Sequence, residues 1–479
     1  MIKNFTYFLF PSIIQALVGI IIIVPVTTFY LEPRDFGVIA ILFVIMSPIS
    51  AITSAPEWVL GGNYFQSDAK SRRTLVFNIL IVDLLYRSIP VIIFWFLKDI
   101  ILIFLKIENY ENINLVYNLI LFGTWLGLFW PTLSKLLIIQ GNAKKHFFLE
   151  LTKFIVGTLI TILSISYFKL GTISIILGFI STNIYSLILE IYFLKKEIFM
   201  SFDLVWIKRI FKISSRGMST SLTAILPPFI ERFSIQNILG LTGLGFYIHA
   251  QIYSNSFKFL IKATSYAITK SSIIAYSNND KKLISSIEKL LGLIFYILVL
   301  SGIILTLFIG DIVNILTHGK FNESAKLVPL LYLLILSFFY GILPTQFLIA
   351  KSKSNTLFFS ELIATLFSVA AIYYGVYYFG LKGAVVGVVI SNLITQVLRK
   401  VVATKLGSKF IIDRYFWIGI IIYLIFYLIE SIIDFNFISK IIIAITIFII
   451  ITYLLLKNID IIKIKIKKLM NDMDSSNEI

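Results

Sequence analysis

The chain has 479 residues, of which 58% are hydrophobic and only 14% are charged. Soluble proteins carry about 25% charged residues, so the composition excludes an ordinary soluble domain and indicates a polytopic membrane protein. The absence of cysteine excludes disulfides and thiolate metal sites, and His146, His249 and His318 are too scattered for a metal cluster. The net charge of +17 falls mostly between apolar segments, which indicates membrane topology rather than nucleic-acid binding.

The apolar runs predict about fourteen membrane spans, because each is long enough to cross the hydrocarbon core as a helix. They cover approximately residues 6–30, 37–55, 75–97, 115–140, 147–168, 172–194, 215–239, 245–272, 284–309, 325–350, 355–379, 383–404, 415–433 and 438–456. With the N-terminus in the cytoplasm, about 28 Lys and Arg lie in inner segments and about 8 in outer ones. This distribution predicts that both termini are cytoplasmic.

The chain also repeats itself at an offset of about 210 residues. Leu31–Ala40 aligns with Leu241–Ala250, and residues 147–150 align with residues 358–361. Parallel repeats of this kind are related by an axis along the membrane normal, with a substrate site at their interface. We therefore predict an all-α polytopic membrane fold of two six-helix bundles related by a pseudo-two-fold axis, plus two C-terminal helices. Chance similarity among segments rich in Ile, Leu and Phe is the alternative.

The predicted domains follow from this pattern. Residues 1–194 form an N-terminal bundle, residues 195–214 an amphipathic cytoplasmic linker, and residues 215–404 a C-terminal bundle. Residues 405–479 hold two further transmembrane helices and a basic cytoplasmic tail.

A polar line follows one side of the eighth predicted span. Gln251, Asn255, Lys258 and Lys262 fall within an arc of about 80° on a regular helix. A lysine near the bilayer centre costs at least about 2.5 kcal/mol, so two on one line predict a helix face directed at water or protein. This favours a cation-lined cavity within a helical bundle. The alternative is that Lys262 lies near the inner surface and extends its ammonium group to the headgroups.

Charged residues occur in other spans as well. Asp83 and Arg87 are four residues apart on one face and can form an internal pair. Glu231 and Arg232 follow two prolines that break helical hydrogen bonding, so they are candidates for a substrate or coupling-ion site, with helix–helix contact as the alternative. Lys135 lies close enough to the inner end of the fourth span to extend out of the membrane.

Motifs of nucleotide-binding or hydrolytic enzymes do not occur in the sequence. It contains no P-loop, no Gly-x-Ser-x-Gly, no His-Glu-x-x-His and no large extramembrane segment. We therefore expect a protein that is not an enzyme and needs no cofactor.

Three segments resemble conserved turns of bacterial polysaccharide flippases. Leu31-Glu-Pro-Arg-Asp-Phe-Gly37 resembles the turn between their first two spans. The segment from Glu231 to Ala250 resembles the junction of their seventh and eighth spans, with Glu where Asp is usual. The segment from Asp311 to Phe321 resembles the one before their tenth span, with His318 for Phe and Phe321 for Tyr.

This resemblance implies a fold of the multidrug/oligosaccharidyl-lipid/polysaccharide exporter superfamily that works by alternating access. The implied function is to flip undecaprenyl-pyrophosphate-linked O-antigen (lipopolysaccharide) or capsule units across the bacterial cytoplasmic, or inner, membrane. The implied partners are the lipid-linked oligosaccharide, membrane lipids and other polysaccharide-assembly proteins, with no nucleic acid. The implied pyrophosphate ligands are Lys135, Arg232, Gln251, Asn255, Lys258 and Lys262. Glu231 or Asp83 would exchange H⁺ or Na⁺.

Two other functions remain open. One is a flippase for lipid II or teichoic-acid-type lipids within the same superfamily. The other is a membrane polysaccharide polymerase or ligase, although such enzymes carry a large outer loop and the longest outer loop here covers about residues 98–114.

Overall fold

The computed structural model describes residues 10–11, 13–53, 59–60, 68–127, 130–140, 142–195, 201–351, 354–408, 412–433 and 435–453. Every regular element within these ranges is a helix. The chain contacts divide the protein into two compact units. The first unit is Thr6–Ile248, and His249–Ile479 forms the bulk of the second.

The first unit is an assembly of apolar helices with small residues at the close contacts. Its described helices are α1 (Ile13–Tyr30), α2 (Pro33–Thr53), α3 (Ala69–Phe96), α4 (Lys98–Phe104), α5 (Ile113–Leu126), α6 (Trp130–Ile139), α7 (Ala143–Ser166), α8 (Ile173–Leu194) and most of α9 (Leu204–Asn255). A Cβ on Gly157 of α7 would overlap Thr182 of α8, and one on Gly178 of α8 would overlap Thr161 of α7. Glycine at these two positions therefore lets the two backbones approach closely, as is common in membrane bundles.

The second unit is built around α11 and also holds the C-terminal helices. Its described helices are the end of α9, α10 (Lys258–Ser277), α11 (Lys281–Thr317), α12 (Asn322–Ala325), α13 (Val328–Tyr340), α14 (Ile342–Ala350), α15 (Ser354–Lys405), α16 (Ile412–Ile432) and α17 (Phe437–Tyr453). Gly419 of α16 packs on the Phe295 ring of α11. The Tyr423 hydroxyl donates to the Pro329 carbonyl over 2.9 Å, and Lys440 pairs with Asp311 at 2.7 Å. The last two helices are thus part of this core.

In the described ranges, ten helices are long and apolar enough to cross a membrane. The sequence predicts about fourteen spans, and the difference has local causes. α15 contains the eleventh and twelfth predicted spans on either side of Gly380, whose φ is 59°. α9 joins the seventh span to part of the eighth, and α17 is a shorter apolar helix. The exact number therefore stays a prediction, and the basic tail from residue 454 lies outside the described residues.

Irregular positions recur about 210 residues apart along the chain. Gly171 and Gly380 both have positive φ angles, 56° and 59°, and both lie at junctions between helical segments. The turn at Leu31 corresponds to Gly240, where φ is 75° inside α9. The discontinuity between α5 and α6 corresponds to Gly341 between α13 and α14. These correspondences are those that a duplication predicts.

The first turn of α2 packs backbone to backbone against α9 just after Gly240. A Cβ on Gly37 would overlap the Leu241 carbonyl oxygen, and a Cβ on Gly245 would overlap the Pro33 carbonyl oxygen. The contact is reciprocal, because Gly37 meets Leu241 and Gly245 meets Pro33. In this arrangement Gly37 corresponds to Gly245 and Pro33 to Leu241, which differs by two residues from the sequence alignment that paired Leu31 with Leu241.

The predicted linker is continuous with the seventh span. α9 begins at Leu204 and stays helical up to the non-helical Gly240. The buried Asn78 of α3 fixes its start, since it donates to the Ser201 carbonyl over 3.0 Å and accepts from the Asp203 amide over 3.1 Å. Residues 196–200 of the predicted linker lie outside the described residues.

Candidate functional site

Asp83 and Arg87 of α3 are buried side chains of opposite charge that interact electrostatically, and they contact α5 and α6. Arg87 donates from Nη1 to the Thr124 carbonyl at the end of α5 over 2.7 Å. Asp83 accepts from the Thr132 hydroxyl at the start of α6 over 2.5 Å. The C-terminal end of a helix carries partial negative charge and the N-terminal end partial positive charge. Each side chain is therefore opposite in sign to the helix end that it contacts.

The side-chain amide of Asn183 contacts the same end of α5. Asn183 of α8 donates to the Gly123 carbonyl over 2.8 Å, so a second carbonyl at the end of α5 is also satisfied. Asp83 and Arg87 are 1% and 5% exposed. The structure thus places Asp83 in a buried, hydrogen-bonded arrangement that connects α3 with α5 and α6. Its predicted role in ion exchange stays a prediction.

The charge cluster extends to α7 and α8. Glu190, which is fully buried, interacts electrostatically with both Arg87 and Lys153. Lys153 also pairs with Glu150 at 3.4 Å and lies 3.5 Å from the centre of the Trp130 ring. These contacts connect four helices of the first unit through charged side chains.

Lys135 lies on α6 and is half-buried. Only one turn separates it from the end of α6 at Ile139, which fits an ammonium group that reaches towards the helix end. Its predicted contact with substrate stays a prediction.

Glu231 and Arg232 lie on α9 about two turns before Gly240. Glu231 is 5% exposed, while Arg232 is half-buried and donates from Nη1 to the Ala40 carbonyl of α2 over 3.3 Å. Gln236, one turn further on, donates to the Leu105 carbonyl after α4. The segment after the two prolines is therefore tied to α2 and to the end of α4.

The polar line of the eighth predicted span is divided between two helices. α9 ends at Asn255 and α10 begins at Lys258, so the prediction of one unbroken helix over residues 245–272 is wrong. The serine side chains explain the break. Ser256 donates to the Tyr253 carbonyl over 2.6 Å, and the Phe257 amide contacts the Ser254 carbonyl three residues back over 3.1 Å. Side-chain hydrogen bonds of this kind compete with the helical ladder.

The break changes what the polar line can do. Gln251 and Asn255 are half-buried on the last turns of α9, whereas Lys258 is the first residue of α10. The first amides of a helix lack intrahelical acceptors and carry partial positive charge, so an anion is favoured there. The Lys258 ammonium lies 5.5 Å from the centre of the Phe338 ring of α13. Lysine and helix terminus therefore add positive potential at the same point.

Lys262 is exposed, one turn beyond Lys258. This position fits the alternative that Lys262 reaches a headgroup region.

One half-buried ion pair of the second unit was not predicted from the sequence. Arg399 and Glu361 pair within α15, and Arg399 also contacts Ser360 and Thr345. The predicted span over residues 383–404 contains Arg399, but no partner was predicted for it. The two residues are equally far from Gly380 along the chain, so a helical hairpin that folds at this glycine brings them together. The equal spacing of Glu361 and Arg399 on either side of Gly380 is therefore a feature of the sequence from which the pair could be predicted.

The fold and the family can now be compared with known proteins. The structure is similar to the inward closed conformation of the lipid II flippase MurJ, with 13% identity, a TM-score of 0.70, and 96% of this chain and 99% of that chain covered. It is also similar to the inward-facing conformation of a multidrug resistance MATE family transporter of the MOP superfamily, with 13% identity, a TM-score of 0.67, and 84% and 94% covered. The eukaryotic MATE transporter AtDTX14 gives 13% identity, a TM-score of 0.62, and 87% and 97% covered.

These similarities define a multi-pass membrane protein with the fold of MOP-superfamily transporters. The model of the family described as polysaccharide biosynthesis protein matches residues 29–326, which is more than half of the chain. The chain therefore belongs to the polysaccharide biosynthesis protein family. No curated protein matches it in sequence.

Proposed function

We propose that this protein is a flippase that moves undecaprenyl-pyrophosphate-linked oligosaccharide units, of the O-antigen or capsule type, from the inner to the outer face of the cytoplasmic membrane. Family membership supports a role in polysaccharide biosynthesis, and the fold is that of proteins that move solutes or lipids. The single observation that carries the substrate class is the start of α10 at Lys258, where an ammonium group and a helix N-terminus coincide within the eighth span predicted from the sequence.

A pyrophosphate is the part of such a lipid that these groups would recognise. It carries several negative charges and many acceptor oxygens, so it matches both lysine ammonium groups and free backbone amides. Gln251 and Asn255 precede this point on α9 and would donate from their amide groups. Arg232, Lys135 and Lys262 would contact the phosphates at other stages of transport. Family cavities are typically basic, as the sequence resemblance implies.

We further propose that transport proceeds by alternating access and is coupled to a proton or sodium ion through Glu231. Glu231 is buried on α9 and follows Pro227 and Pro228, which cannot donate helical hydrogen bonds. A carboxylate within the membrane beside freed backbone carbonyls is a suitable site for a cation.

A lipid II flippase is the second candidate, and one observation favours it. The lipid II flippase MurJ is similar over 96% of this chain and 99% of its own. Both candidate substrates carry a phosphorylated lipid, so the cations would act alike and the sugar would differ.

Replacing Lys258 or Arg232 with alanine is expected to reduce surface glycan at least about tenfold, because a charge-assisted hydrogen bond contributes about 1.5–3 kcal/mol. The measurement is complementation of a strain that lacks its repeat-unit flippase, with surface glycan and membrane levels of the protein scored together. Lys258→Arg keeps the charge and should retain export. Lys382→Ala, at an exposed lysine, is the matched control.

Unchanged export in both alanine variants would reject these side chains as the substrate site. A parallel complementation in cells depleted of their lipid II flippase distinguishes the two candidates. Rescue there, with none in the repeat-unit strain, would favour lipid II.

A further inference from the structure

The first turns of α9 present two opposite faces. Trp206, Ile207, Ile210 and Ile213 pack on a buried cluster formed by α3, α6, α7 and α8. The exposed face consists of Leu204, Val205, Lys208, Arg209, Phe211 and Lys212, and we name it the linker face. These six positions cover an arc of about 160° on a regular helix.

The linker face combines exposed apolar groups with cations. Leu204, Val205 and Phe211 are 60%, 76% and 38% exposed, and Phe202 just before them is 62% exposed. The order around the helix is Phe211, Leu204, Lys208, Lys212, Val205 and Arg209, so apolar and basic side chains are interspersed over the whole face. A surface of this kind fits a partner that is both apolar and negatively charged.

The position of α9 beside α3 gives the depth of this face. The Phe211 ring contacts the Tyr86 ring of α3 at 5.3 Å, and the Phe233 ring stacks on Phe104 of α4 at 4.9 Å. From 211 to 233 the helix rises by about 33 Å, which is close to one hydrocarbon thickness. This length is enough for a membrane-crossing part of α9 to end near the linker face.

Hydrogen bonds at the start of α9 hold the linker face in a fixed position on α3. Asp203 accepts from the Val205 amide over 2.8 Å and so caps the first turn of α9. Its own amide is held by the buried Asn78. The start of the helix therefore has a fixed orientation relative to α3.

We propose that the linker face binds the acidic headgroups of the adjacent leaflet, with Leu204, Val205 and Phe211 inserted among the acyl chains. Lys208, Arg209 and Lys212 would contact phosphate and glycerol oxygens of anionic phospholipids. An acidic soluble protein is a poorer occupant, because it would match the three cations but would also have to cover the three exposed apolar side chains, which acyl chains cover readily. This inference does not depend on the proposed substrate.

The natural absence of cysteine makes a direct test possible. Val205→Cys, labelled with an environment-sensitive fluorophore, is reconstituted in vesicles of phosphatidylcholine alone or mixed with phosphatidylglycerol, each with brominated acyl chains. Quenching is expected to be at least about twofold stronger with phosphatidylglycerol, since each cation adds to the attraction. The substitutions Lys208→Gln, Arg209→Gln and Lys212→Gln, made together, should remove that lipid dependence.

The matched control neutralises Lys281 and Lys282, two exposed lysines at the start of α11, and should leave the quenching of the Val205 label unchanged. A label that stays in water whatever the lipid would overturn the inference. So would quenching that is the same with and without phosphatidylglycerol, or that survives the triple substitution.

Discussion

Replacing Gly37 with alanine is expected to lower the thermal stability of the protein markedly, although the change adds a single methyl group. The new Cβ would overlap the Leu241 carbonyl oxygen, which is backbone and cannot move aside alone. α2 and α9 would have to separate at this end. Overpacking of a close contact costs about 1–3 kcal/mol. Thermal unfolding in detergent, followed by size-exclusion chromatography, measures the effect.

The matched control is Gly310→Ala in α11. Gly310 is helical and has open space where the Cβ would go, so alanine should be neutral or stabilise by up to about 1 kcal/mol through helix propensity. Equal stabilities of Gly37→Ala and Gly310→Ala would contradict the close contact.

Gly245→Ala tests whether the contact is reciprocal. Its Cβ would overlap the Pro33 carbonyl oxygen, which is the mirror of the first collision. Because both substitutions push the same two helices apart, their effects should not add. A double variant that loses the full sum of the two single effects would indicate two independent contacts instead.

Replacing Arg87 with leucine is expected to be among the most damaging changes in the first unit. The substitution removes a buried guanidinium and leaves the Asp83 carboxylate and the Thr124 carbonyl without it. Loss of one member of a buried ion pair costs about 3–5 kcal/mol. The expected result is little or no folded protein in the membrane, measured by quantitative extraction and size-exclusion chromatography.

The double variant Asp83→Asn with Arg87→Leu separates a structural role of Asp83 from ion coupling. It should recover part of the folded protein, because an amide still accepts from Thr132 and no charge at Asp83 is left unopposed. If Asp83 only supports the helix break, the recovered protein should also transport. A well-folded double variant that does not transport would instead point to Asp83 as a coupling residue.

The sequence predicted the features that depend on composition and on residues close in the chain. The membrane class and the helical fold follow from the apolar content and from the length of the apolar runs. The break after Asn255 was missed because it depends on where Ser256 directs its hydroxyl. A serine within a membrane helix can bond its own helix without interrupting it, so the residue type alone does not decide.

Contacts between distant helices were harder to predict. The repeated turns were visible in the sequence, but the contacts make Gly37 correspond to Gly245, two residues away from the sequence alignment, because apolar segments align almost equally well at several offsets. Arginine is costly within the membrane, and the partner of Arg399 is 38 residues away in the chain, so the pair was not predicted. The structure shows that Glu361 compensates for this cost on the same helical hairpin.

The most direct measurement of the central claim uses the purified protein in vesicles that contain fluorescent undecaprenyl-pyrophosphate-linked oligosaccharide. The account predicts that lipid-linked sugar reaches the opposite leaflet faster with the protein than in protein-free vesicles, and at least about tenfold more slowly with Lys258→Ala than with Lys258→Arg. Vesicles with folded protein that move the lipid no faster than empty vesicles, across a range of proton and sodium gradients, would contradict it.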